Sequence, residues 1–198
     1  MRVSDIAIEQ TLSSLLDAES FDQATTFALE RYGPELLAFI HVRLKDIHAA
    51  RESYAWMAED IWRGMPRFRR QSSVRTWVYA IARNASARFA QRELAGRHRD
   101  VPISQLSRQS ALAVKLPSTD VRDRLARIRL LLDDDEQSLL TLRVDKSMDW
   151  SDIALVMLYD GTGSEPEADV VTREAARLRK RFQLLKAKLR ALAEGETG

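Results

Sequence analysis

Apolar residues recur three and four apart along most of this chain, the spacing that puts them on one face of a helix. Ile6, Thr11, Leu12, Leu15 and Leu16 predict a short amphipathic helix near the start, and Phe21, Ala24, Phe27 and Ala28 predict a second. Gly33-Pro34 is expected to open a third, with Pro34 near the first turn and Leu36, Leu37, Phe39, Ile40, Val42 and Leu44 on its core side. Tyr54, Trp56, Met57, Ile61 and Trp62 mark a fourth over about residues 50–64. Gly64 and Pro66 break the pattern. It resumes with Val74, Trp77, Val78, Ile81, Ala85 and Phe89, entered through Ser72 and Ser73 as N-caps with Thr76 able to add a local hydrogen bond.

Periodicity then lapses over residues 97–120, which hold Pro102, Pro117 and several Ser and Gln, and an extended linker is expected there. It returns with Val121, Leu125, Ile128, Leu131 and Leu132. Asp133 to Glu136 form a turn and an acid-rich helix start, with Leu139, Leu140, Leu142 and Val144 following. After a break at Asp145–Ser147, Asp149 is expected to cap a short helix with Asp152 at its third position. Residues 159–169 are a polar loop, and a last helix is expected from about Val170 to Leu192, with Leu178, Phe182, Leu185, Leu189 and Leu192 as its buried stripe. The fold class predicted is all-α: two small helical domains, 1–96 and 121–198, joined by the linker 97–120, with 1–20 as an N-terminal extension. A short capped helix, a turn and a longer basic helix in the second domain read as helix-turn-helix.

Charge sharpens the picture. The formal net charge is only +2, yet residues 1–62 hold eleven acids against five bases, and residues 63–99 hold ten arginines with Glu93 the one acid. So local an excess of arginine, interleaved with aromatics, points to a polyanion partner and to phosphate contact. Arg75, Tyr79 and Arg83 fall four apart with Asn84 beside them, a stripe suited to gripping phosphates and stacking on an unpaired base. Arg75, Arg83 and Arg88 taken singly equally suit an ordinary solvated face, and Trp77 and Phe89 belong to the apolar stripe and so to a core. Near the C-terminus Arg173, Arg177, Arg179, Lys180, Arg181, Lys186, Lys188 and Arg190 form a second basic helix.

The stretch Pro66–Phe89 resembles the promoter-melting segment of bacterial sigma factors of the extracytoplasmic-function (ECF) group. That pattern is a Pro-Arg-Phe-Arg loop, a Ser-Ser cap and then Arg-Thr-Trp-aliphatic-Tyr-x-aliphatic-Ala-Arg-Asn. It is matched at Pro66–Arg69, at Ser72 and Ser73, and at Arg75–Asn84. Leu-x-Leu-Arg, Trp150-Ser-Asp-Ile-Ala154 and the basic helix that follows are similar to the −35-reading domain of the same family. The matched blocks cover most of residues 30–96 and 121–192. The resemblance implies a factor that binds core RNA polymerase and directs initiation at promoter DNA. It implies −10 contacts at Arg67, Phe68, Arg69, Arg70, Ser72, Ser73, Arg75, Thr76, Trp77, Tyr79, Arg83, Asn84 and Arg88, and −35 contacts at Arg173, Ala176, Arg177, Arg179, Lys180 and Arg181. Polymerase docking falls to Glu52, Trp56, Glu59, Asp60, Trp62 and Arg63, and an anti-sigma factor or other regulator is a further partner of such proteins. Two departures stand out. Many members carry Asp-x-x-Gln-Glu where this chain has Glu52-Ser53-Tyr54-Ala55-Trp56, and the turn at 159–169 is longer than usual.

Enzyme chemistry finds no foothold. There is no cysteine, His41, His48 and His98 lack metal-ligand spacing, Asp133–Asp135 suit a helix start, and Gly161-x-Gly163 follows a helix rather than a strand. No cofactor is expected, nor membrane insertion, since no apolar run approaches the roughly 18 residues of a span. The expected location is the bacterial cytoplasm, at the nucleoid. Two rival readings are a stand-alone helix-turn-helix transcriptional regulator and a helical adaptor with an acidic partner. The segment before residue 20 and the turn at 159–169 are the places where regulation is expected to act.

Overall fold

The computed structural model describes residues 3–100, 131–161 and 166–195. Among them all secondary structure is helical, with no strand. None of these helices is long and apolar enough to cross a membrane.

Helix α1 (Val3–Asp17) buries Leu12 and Leu16. Helix α2 runs unbroken over Phe21–Leu44, where two helices were expected. Pro34 lies in its interior and removes one helical hydrogen bond. Both halves nonetheless stay in line because Ala24, Ala28, Tyr32, Leu36, Phe39 and Ile40 all face the same core. Gly33 is needed beside it for space: a Cβ there would lie 2.5 Å from the Tyr54 hydroxyl. Helix α3 (Ile47–Gly64) starts on Asp46, whose carboxylate accepts from the Ala49 N–H at 2.8 Å, and it buries Ala50, Ser53, Met57 and Ile61. A 3-10 turn (Met65–Arg67) leads to the loop before α4 (Val74–Asp100). That helix continues through residues 97–100, which the sequence pattern had assigned to the linker. The rest of the expected linker and most of the stripe at 121–130 lie outside the described residues.

The C-terminal helices are α5 (Asp134–Leu140), extended by a π-turn (Thr141–Asp145), α6 (Trp150–Leu158) and α7 (Ala168–Gly195). The acid-rich start of α5 is a full capping box: Asp133 accepts from the Glu136 N–H, and Glu136 accepts from the Asp133 N–H. Asp149 does occupy the N-cap position of α6, but its side chain makes no capping hydrogen bond.

The core is continuous. Leu139, Leu142, Met148, Ile153, Ala154, Val156, Ala175 and Leu178 from the C-terminal helices belong to the same buried cluster as Leu36, Phe39, Val78 and Ile81. Helix α6 packs on α4 and α5 packs on α2. The expected division into two domains is thus not visible as two separate cores. A small satellite cluster joins Leu132, just before α5, and Leu140, at the end of α5, to Leu185 of α7.

Candidate nucleic-acid interface

The basic loop is fixed by an aromatic contact. Phe68 packs on Trp77 with ring centroids 4.9 Å apart, and its N–H donates to the Met65 carbonyl. Arg67, Arg69 and Arg70 are thereby thrown outward and exposed. Arg70 adopts the left-handed backbone (φ 59°) and pairs with Asp17 of α1.

The loop ends at the N-terminus of α4, where three backbone N–H groups would be left unpaired. Ser73 takes the expected capping role, its hydroxyl accepting from the Thr76 N–H at 3.0 Å. Ser72 instead donates to the Ser73 carbonyl. Sequence spacing gave no hint of the third partner. Glu9 of α1 reaches across so that its carboxylate accepts from the Val74 and Arg75 N–H groups, both at 2.9 Å, and from the Tyr32 hydroxyl at 2.9 Å. A carboxylate thus meets the positive end of α4 at the point where a phosphate would otherwise be favoured. Burial first, then the Glu9 charge, pushes the Tyr32 hydroxyl far above its usual range.

The Arg75–Tyr79–Arg83 stripe does not face solvent. Tyr79 is fully buried, edge-on to Phe39 at 5.3 Å, and its ring belongs to the α2–α4 core; in this arrangement it presents no stacking surface. Burial and then Glu35 push its hydroxyl far up. Arg75, about one-eighth exposed, donates to Glu35 at 3.3 Å and to the Lys146 carbonyl at 3.4 Å, with Asp5 at 3.8 Å. Burial works against its charge, and Glu35 more than offsets that. Arg83 donates to Asp135 at 2.9 Å, and Arg88 pairs with Asp60.

Beside this stripe opens a cleft of about 240 Å³. Trp77, Phe68 and Ile81 line it from the first four helices, Arg63, Arg67, Arg69 and Arg88 supply positive charge, and Asp60, Ser72, Thr76 and Asn84 add polar groups. Leu155, Tyr159, Gly161 and Pro166 come from the C-terminal part of the chain and close it. Of the thirteen residues expected to meet the −10 element, Arg67, Phe68, Arg69, Ser72, Thr76, Trp77, Asn84 and Arg88 gather around this one cleft. Arg70, Ser73, Arg75, Tyr79 and Arg83 do not line it.

On α3 the acidic and aromatic residues are spread over one surface. Glu52, Glu59 and Arg63 are exposed, and Arg63 pairs with Glu59. Trp62 is 57% exposed and donates from its indole N–H to Asp22 at 3.0 Å. Trp56 is half-buried between Phe89 at 5.3 Å and the Arg92 guanidinium, also at 5.3 Å. On α7, Arg173, Ala176, Arg177, Arg179 and Lys180 are exposed, with Arg173 paired to Asp169 and Arg177 to Glu174. Arg181 turns inward to Asp133 and Asp135 at 3.4 and 3.5 Å.

One buried cation was missed by the sequence reading altogether. Arg43 of α2 donates to the Ser86 hydroxyl of α4 at 2.7 Å, to the Asp134 carbonyl at 3.1 Å and to the Ser138 hydroxyl of α5. It joins three helices through uncharged acceptors, and burial followed by nearby Arg83 lowers its pKa. Among the described residues no cluster of His, Cys, Asp and Glu could hold a metal ion. Compared with known proteins, the chain matches no family model and no curated sequence.

Proposed function

We propose that this chain is a promoter-recognition subunit of bacterial RNA polymerase, a sigma factor of the ECF group. The observation that carries the reading is the loop Pro66–Arg70 seated on Trp77. It opens onto a basic, aromatic-floored cleft to which the matched Pro66–Asn84 motif contributes Arg67, Phe68, Arg69, Ser72, Thr76, Trp77, Ile81 and Asn84 beside residues of α3 and of the C-terminal part. A flat apolar floor with arginines at the rim suits one unstacked base and its flanking phosphates, and stacking offsets the few kcal/mol that unstacking costs. Trp77 and Phe68 take the base, and Arg67, Arg69 and Arg88 take phosphates. The α3 surface with Glu52, Trp56, Glu59, Asp60, Trp62 and Arg63 docks on the polymerase. Helices α6 and α7 act as the helix-turn-helix, with Arg173, Ala176 and Arg177 toward base edges upstream and Arg179 and Lys180 on phosphates. Arg181 is left out of that set because its guanidinium is directed at α5. The subunit supplies specificity in the cytoplasm, at the nucleoid, and leaves the chemistry to the polymerase, with no cofactor of its own.

The deciding experiment is size-exclusion chromatography with bacterial core RNA polymerase, followed by run-off transcription on selected promoters. A stoichiometric complex that initiates at a defined start site is expected. Tight duplex binding without any polymerase complex would favour a stand-alone regulator instead.

A further inference from the structure

One helix, α1, holds the basic loop at both of its ends. Where the loop enters α4, Glu9 accepts the Val74 and Arg75 N–H groups at 2.9 Å, and Asp5 lies 3.8 Å from the Arg75 guanidinium. In the loop itself, Arg70 pairs with Asp17. Glu9 and Asp17 lie eight residues apart, about 12 Å along the helix axis.

Both acids stand on a fixed element. Leu12 and Leu16 are buried in the main core, and Ile8 and Leu15 pack against it. The end of α1 is closed where Glu19 turns left-handed (φ 53°) and the Ser20 N–H donates to the Leu15 carbonyl at 2.9 Å. The Tyr32 hydroxyl donates to Glu9 and steadies it further. Arg70 thus meets a carboxylate at the helix end whose dipole favours a cation.

Arg70 differs from its neighbours. Its backbone is left-handed (φ 59°), which a side chain with a Cβ adopts only at a cost, and its guanidinium is directed at α1. It lies outside the cleft that Arg67 and Arg69 line. Those two are exposed and make no ion pair among the described residues. Two arginines are left for a ligand, and the third fastens the loop that carries them.

Resting on the reading above, we propose that Glu9 and Asp17 are positioning residues for promoter opening, with Arg70 as their anchor in the loop. Helix α1 keeps Pro66–Ser73 in the shape that seats Phe68 on Trp77 and turns Arg67 and Arg69 outward. A loop ordered in advance loses less conformational entropy when DNA arrives. The helix read from sequence as an N-terminal extension is thereby part of the interface.

Charge exchange tests this on the full chain. Arg70→Glu, Asp17→Arg, both together, and Glu9→Ala are each assembled with core RNA polymerase. Opening is followed by permanganate reactivity of unpaired thymines on a promoter recovered by run-off transcription. All should co-elute with polymerase as the parent does, because none lies on the α3 surface. Each single charge reversal should lower opening about fivefold, the scale of one exposed ion pair. Glu9→Ala should lower it about tenfold, the scale of a lost helix cap. The double exchange should return opening to within about twofold of the parent. A merely destabilised fold would lose polymerase binding as well, and the exchange would not repair it. If Arg70→Glu stays defective in the exchange, Arg70 meets DNA directly and the proposal is overturned. Full opening with Asp17→Arg or with Glu9→Ala overturns it too. A parent that joins no polymerase removes the sigma reading instead. The same variants are then read by anisotropy of a labelled mixed-sequence single-stranded deoxyoligonucleotide on the free chain. Restored binding in the exchange keeps the hold of α1 on the loop, and unrestored binding removes it.

Discussion

Glu9 shows how much one side chain can decide. It closes the N-terminus of α4 from a helix 65 residues away, accepting two backbone N–H groups and the Tyr32 hydroxyl. Losing a helix cap costs about 1–2 kcal/mol, and the Tyr32 hydroxyl would be left without this acceptor. Glu9→Ala should therefore lower the thermal midpoint by a few degrees, measured by circular dichroism, and should loosen α1 from the loop. Glu9→Gln, which keeps one acceptor oxygen, should fall between the two. Arg43 acts on the same scale. The residue is 7% exposed and, among the described residues, its guanidinium donates to two hydroxyls and a carbonyl, so its removal leaves Ser86 and Ser138 with one partner fewer.

Between elements, the seating of α6 on α4 carries a pH dependence. Asp152, in the first turn of α6, has its carboxyl pushed up by burial, with a hydrogen bond to Thr76 working against the shift and Asp149 adding to it. Glu9 lies close enough to raise it further, and Arg75 to lower it. A carboxyl whose pKa is raised in the packed state binds its proton more tightly there than when released. The packed state is thus favoured below the ordinary carboxylate range and loses that contribution as pH rises through the raised value. The urea midpoint should therefore fall as pH is raised above the ordinary carboxylate range, and Asp152→Asn should flatten that part of the profile. Asp135 works in the opposite sense. Its carboxyl, pushed up by burial but held below its usual range by Arg83 and Arg181, stabilises the packed state at neutral pH and weakens it as pH falls well below the ordinary value.

At the scale of the molecule, the shared core predicts shared unfolding. Ile153, Leu142 and Leu178 are fully buried in the cluster that also holds Phe39 and Val78. Tryptophan reports both sides of the contact: Trp77 on α4, and Trp150 at the start of α6 against Phe182 at 5.6 Å. In variants that keep only Trp77 or only Trp150, urea transitions followed by fluorescence should coincide. A Cβ at Gly161 would fall 2.4 Å from the Asn84 amide nitrogen of α4. Adding Gly161→Val should therefore separate the transitions, since each helical group would then unfold from its own packing. Coincident transitions in both backgrounds would mean that position 161 does not control the contact.

The sequence by itself determined that the chain is helical, where most helices begin, and that Pro66–Arg92 is a basic unit. These features are local: apolar spacing of three and four, Ser73 three residues before Thr76, Asp133 three before Glu136, and a run of arginines are all written in neighbouring positions. Tertiary structure decided what each face meets. Pro34 was read as a helix start because its missing N–H is a local fact, whereas the packing that keeps α2 continuous through it is not. Tyr79 was grouped with Arg75 and Arg83 by spacing, yet Phe39, forty residues earlier, claims its ring. Arg83 meets Asp135 and Arg75 meets the Lys146 carbonyl, across 52 and 71 residues of chain. Periodicity can place a residue on a face; only the packing of whole helices, driven by burying their apolar stripes together, sets which face is covered and by what.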